Sequence, residues 1–189
     1  MTSLFGVFTA FGLASSAGLN AYIPLLVVAL LSRFTDLIAL TTPWDALESW
    51  WVIGVLAALL IVEIVADKIP AVDSINDTVQ SFVRPAAGAI LFASSGGSIS
   101  HVHPVLAIIC GILAAGGVHA VKATARPLVT ATSGGMLNPV VSTAEDVTSL
   151  VISVLSIAVP VLALLLLVLV IALFVRWVFR RRRHAATPQ

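Results

Sequence analysis

The chain has 189 residues, of which 59% are hydrophobic and only 10% charged, with a formal net charge of +1 and a mean hydropathy of +1.10. A water-exposed domain carries about a quarter of its residues as Asp, Glu, Lys or Arg. Soluble-enzyme and nucleic-acid-binding readings are therefore excluded, and an integral membrane protein whose partner is the lipid bilayer is expected.

No Lys or Arg precedes the first apolar run, Leu4 to Leu31, so it reads as a retained segment and not as a secretory signal. As one helix it would be about 42 Å long against a hydrocarbon core of about 30 Å. It is expected to break near 15–24, where Ser15, Ser16, Gly18, Asn20 and Pro24 fall in mid-run. Trp44, Trp50 and Trp51 follow with Arg33, Asp36, Asp45 and Glu48, the composition of a membrane interface. A second span runs from about Trp51 to Ala66 and gathers Glu63 and Asp67 in its last turn. Asp73, Asn76, Asp77, Gln80 and Arg84 recur at helical spacing, which predicts an interfacial amphipathic helix. It leads into a short third span from Pro85 to Ser95. Ser94 to His103 reads as a turn, and His101-Val102-His103 as loop.

The fourth span is expected from Pro104 to about Lys122, ended by Arg126-Pro127. Leu128 to Val141 is too short and Gly-rich to cross a bilayer and reads as re-entrant or interfacial. The last apolar run, Val147 to Val175, reads as one tilted helix kinked at Pro160. Arg176 and Arg180 to Arg183 then crowd the last fourteen positions, while the rest of the chain holds five basic and nine acidic residues. That is the positive-inside signal and puts the tail in the cytoplasm. The expected fold is an all-α polytopic transmembrane helix bundle of about five spans, broken or re-entrant near 15–24 and 128–141. The bundle is one domain, 1–178, followed by a basic tail, 179–189. The lone Cys110 allows no intrachain disulfide, and homo-oligomerisation is left open.

Spans two and four run in the same direction. Glu63 and Asp67 are spaced i, i+4; His119, Lys122 and Arg126 are spaced i, i+3, i+7, so an acidic and a basic stripe meet at one depth. The adjoining connections, Asp67 to Gln80 and Thr124 to Asp146, add Asp73, Asn76, Asp77, Asn138, Glu145 and Asp146; the amphipathic stripe adds Arg84, and the broken first run adds Asn20. With the last run as one span, this cluster opens to the extracytoplasmic side. One reading is an ion-paired network that stitches the bundle. The favoured one is a polar cavity for a small solute, ion or lipid headgroup, because paired ionisable residues inside a membrane mark solute or proton paths. Asp73, Asn76, Asp77, Glu145 and Asp146 resemble a hard-cation ligand set, and Glu63 with His119 suits proton relay. The alternative to a small transporter or channel is a membrane-embedded enzyme acting on a phosphorylated lipid, with Lys122 and Arg126 as headgroup ligands and His119 as acid or base, or a structural or assembly subunit. Cofactor and metal dependence are not legible.

These residues carry a family resemblance. Gly18-Leu19-Asn20-Ala21-Tyr22-Ile23-Pro24-Leu25-Leu26, the run Glu63 to Asp77, Arg84-Pro85-Ala86-Ala87-Gly88, His119-Ala120-x-Lys122 and Asn138-Pro139-x-x-Ser142-x-x-Glu145-Asp146 resemble the integral membrane family catalogued as domain of unknown function 4126. The resemblance covers about residues 5 to 155. It implies a multi-pass protein, in bacteria one of the inner membrane, and implies no activity or catalytic residue.

Overall fold

A computed structural model describes residues 2–67, 69–95, 102–159, 162, 165 and 168–176, with the backbone alone at 2–4, 70, 71 and 73–75. Among the described residues the chain is helical without strands. The helices are α1 (Thr2–Ala17), α2 (Tyr22–Phe34), α3 (Trp50–Ala66), α4 (Pro70–Ser94), α5 (Pro104–Ser133) and α6 (Asn138–Ala158), with a 3-10 turn at Trp44–Glu48. Two of them, α5 and α6, are long and apolar enough to cross a membrane.

The first apolar run breaks where its small and polar residues fall. α1 ends at Ala17 in tight turns, with Gly18 N–H donating to Ser15 O at 3.0 Å. Asn20 Oδ1 then accepts from the backbone N–H of Tyr22 and Ile23 at 3.0 and 3.1 Å, satisfying donors that a new helix leaves open. Contacts along α1 and α6 run in opposite senses. Gly12 meets Ser156, Ser16 bonds Ser153 at 3.0 Å, and Asn20 bonds Asp146 at 2.9 Å. α1 therefore rises antiparallel to α6, and the Asn20 turn sits at one end of the bundle, here called the polar end. α2 descends from there, bringing Phe34 and Arg33 against Trp50 at the opposite end. α3 rises again, and α4 and α5 form the tightest pair.

Gly88 and Gly111 mark the crossing of α4 and α5. A Cβ on Gly111 would overlap Gly88 O and lie 2.7 Å from Ala89 Cα, and backbone cannot yield as a side-chain tip can. Gly111→Ala is expected to cost about 1–3 kcal/mol by forcing the helices apart. Gly117→Ala, with nothing within 4 Å, should be neutral. Thermal unfolding in detergent checks both; equal losses would remove the close-packing account.

Three expectations about helix limits change. The amphipathic segment and the third span are one helix, α4, which runs through Pro85. α5 likewise runs past Pro127 to a left-handed cap at Gly134, φ 61°. The turns beyond Pro127 are held by the burial of Val129 and by Thr130 Oγ1, which pairs with the Asn138 amide, so tertiary contacts outweigh the lost backbone donor. The 128–141 segment is thus the tip of an α5–α6 hairpin, broken only at 134–137. Finally, the last apolar run is not one helix. Val159 leaves helical geometry at φ −144°, ψ 77°, as expected for a residue before proline. On one straight helix Thr148 and Phe174 would lie about 39 Å apart, yet they line one cavity, and Ile171 packs on the cluster of Val118 and Ile152. The helical residues 168–176 therefore return toward the polar end.

The surface is apolar where charge is usual. Trp51, Val55, Ile61 and Val62 of α3, Phe82 of α4 and Leu113 of α5 are exposed. The buried set instead includes Glu63, Asp67, Arg84, His119, Lys122 and Arg126.

Candidate functional site

The polar end is built from helix termini. α3 delivers Glu63 and Asp67, α4 starts there and delivers Asp77, Ser81 and Arg84, α5 passes through with His119, Lys122 and Arg126, and α6 begins there with Asn138, Ser142, Glu145 and Asp146. Arg84, 0% exposed, donates from Nη2 to Glu63 Oε1 at 3.1 Å. Its Nη1 lies 3.0 Å from His119 Nδ1. A guanidinium only donates, so Nδ1 accepts and the ring proton sits on Nε2, which faces Ser81 Oγ at 3.0 Å. Ser81 in turn donates to Asp77 O at 2.9 Å. Both histidine nitrogens are thereby engaged.

Arg126 is the hub. Its Nη1 reaches Asp77 Oδ2 at 2.8 Å and its Nη2 reaches Asp67 Oδ2 at 3.3 Å, with Glu145 at 3.8 Å. Asp67 is saturated further by the Ser142 hydroxyl at 2.7 Å and the Asn76 amide at 2.9 Å. Lys122 pairs with Glu145 at 2.8 Å and donates to Leu19 O at 3.2 Å, tying the α1–α2 break to α5 and α6. Asn20 bridges to Asp146. Eleven of the twelve residues singled out in the sequence thus lie at one end of the bundle; the Asp73 side chain and the tail 179–189 fall outside the described residues.

The carboxylates do not converge as a cation cage. Asp77 faces Arg126, Glu145 faces Lys122 and Asp146 faces Asn20. Among the described residues no group of three or more His, Cys, Asp or Glu side chains could hold a metal ion. Glu63 and the stripe from His119 to Arg126 do not look at each other across open space either, because Arg84 fills the gap between Glu63 and His119. Open space lies beside the network. A groove of about 700 Å³ is lined by Asp77, Ser81, His119, Arg126, Thr130 and Asn138.

Sequence reasoning passed over Gln80, Ser81 and Ser142. Gln80 and Ser142 are buried, Ser81 and Ser142 bond the network, and Gln80 Oε1, Glu63 Oε2 and Arg84 Nε are buried without a hydrogen-bond partner among the described residues. Gln80 was visible as part of the polar stripe of α4. Ser142 stood in the motif running from Asn138 to Asp146, whereas Ser81 carried no signal beyond composition.

The chain matches the family described as domain of unknown function DUF4126 over residues 7–180. It belongs to that family. The DUF4126 match encloses the whole network from Asn20 to Asp146. No curated protein and no solved structure matches the chain, so the chemistry of this DUF4126 member rests on its own geometry.

Proposed function

We propose that this is a multi-pass membrane transporter in which the groove beside α4 and α5 receives a small cationic or zwitterionic solute, or a proton, and the buried ion pairs are its gate. One observation carries the reading: Asp77, Ser81, His119 and Arg126 belong both to the groove wall and to the network that holds α3, α4, α5 and α6 together. A solute that bonds those groups must compete with the pairs between helices. Binding is thereby coupled to helix movement, the requirement for alternating access. Among the described residues the polar end holds five buried or half-buried carboxylates, Glu63, Asp67, Asp77, Glu145 and Asp146, against the three cations Arg84, Lys122 and Arg126. That excess of acid favours a positive ligand over an anion. It also weighs against the phosphorylated-lipid enzyme, whose acid or base would need a free nitrogen on His119.

The inverted surface supports the bilayer as solvent, since apolar side chains outside and charges inside suit lipid. With the basic tail read as cytoplasmic, the return of residues 168–176 supports a polar end, and a groove, on the cytoplasmic side of an inner membrane in a bacterial cell. The test combines sidedness with flux. In a Cys110→Ala background, Met136→Cys at the polar tip should react with an impermeant maleimide only after cells are opened, whereas Thr41→Cys at the opposite end should react in intact cells. Proteoliposomes should show uptake of protons or organic cations that His119→Ala reduces about tenfold or more. Uptake unchanged by both His119→Ala and Glu63→Gln would sink the transport reading.

A further inference from the structure

We infer that a second cavity, between α5, α6 and residues 170–174, holds one acyl chain of an anionic phospholipid from the leaflet at the polar end. α5 and α6 are joined by the short turn 134–137 but splay apart beyond it, and the wedge encloses about 340 Å³. Val118, Val129, Val141, Ile171 and Phe174 are among its walls, so the occupant is an apolar chain; the volume is at the small end of ligand pockets, roughly 300–1,000 Å³. The wall's cation, Lys122, is committed to Glu145 at 2.8 Å and to Leu19 O, and therefore selects no headgroup. Selection comes from the mouth. Arg176 is exposed two residues beyond the wall residue Phe174, and Arg180 to Arg183 follow it in the sequence. Clustered arginines directly after a membrane helix attract anionic lipid, and here they follow the residues that line the apolar slot. The inference rests on the membrane reading and not on transport.

The experiment is native mass spectrometry of the full chain in nonionic detergent with equal phosphatidylglycerol and phosphatidylcholine. Wild type should retain one phosphatidylglycerol, preferred about tenfold. Val141→Phe fills the slot and should abolish retention, and Ala144→Leu, a smaller intrusion in case the first variant unfolds, should weaken it severalfold. Arg176→Gln combined with Arg180→Gln, Arg181→Gln, Arg182→Gln and Arg183→Gln should keep one lipid and lose the preference. Equal retention of the two lipids by wild type, or retention unaltered in the filled variants, overturns the assignment. Carbonate extraction separates the failures: a chain released from membranes defeats the membrane reading, whereas a chain that stays in the pellet but holds no lipid defeats this inference alone.

Discussion

Arg84→Met is expected to be the most damaging single substitution in the protein, lowering stability by about 3–5 kcal/mol. The guanidinium is fully buried between Glu63 at 3.1 Å and His119 at 3.0 Å. Removing it strands a carboxylate that is 1% exposed, and an unpaired buried charge costs far more than the pair gains. Neutralising the partner should therefore reverse most of the loss, so Glu63→Gln with Arg84→Met should melt near wild type. Arg84→Lys should rescue poorly, because one ammonium lacks the planar fork that serves a carboxylate and an imidazole at once. Thermal unfolding in detergent and abundance in membranes provide the readouts. A double variant no better than Arg84→Met alone would show that the arginine acts by packing and not by pairing.

Arg126→Gln should be the most damaging to transport. Its two terminal nitrogens reach separate carboxylates, Asp77 on α4 and Asp67 at the end of α3, while Glu145 of α6 lies 3.8 Å away. The same side chain walls the groove. The single substitution should lower both stability and uptake, the latter by more than about tenfold. Combining it with Asp67→Asn and Asp77→Asn removes the stranded charges, and this triple variant should recover stability without recovering uptake. Should it carry solute at the wild-type rate, the ion pairs are a structural clasp and not a gate. Arg126→Lys should restore neither property fully, for the geometric reason that applies at Arg84.

Much of this site was legible because ionisable residues are rare in an apolar chain. The i, i+4 spacing of Glu63 and Asp67 and the i, i+3, i+7 spacing of His119, Lys122 and Arg126 suggested two opposed stripes at one depth, and one pair, Arg126 with Asp67, joins them directly. What the spacing could not choose was partners. Glu63 reads as the natural mate of His119, yet Arg84 stands between them, and Lys122 turns away to Leu19 and Glu145. Helix limits failed at the prolines. Pro85 and Pro127 lie inside continuous helices, whereas the chain does leave the helix ahead of Pro160. A proline's local cost is the same at each position, and only surrounding contacts determine whether it is borne.

Composition alone pointed to lipid as solvent: a chain with 10% charged residues has too little polar surface for a water-exposed domain, and runs the length of helical spans favoured helices over a closed barrel as the way to satisfy the backbone internally. The break after Ala17 was likewise local, set by Gly18 and the capping amide of Asn20. The tertiary structure decided the rest. It joined the amphipathic segment to the third span, closed Arg84 over Glu63, and turned the chain back after Val159 so that residues 168–176 approach the polar end. With the tail cytoplasmic, that reversal moves the proposed opening from the outer to the inner side. Such choices depend on contacts between residues far apart in the chain, where burial and ion pairing outweigh local preference, and no window of sequence contains both partners.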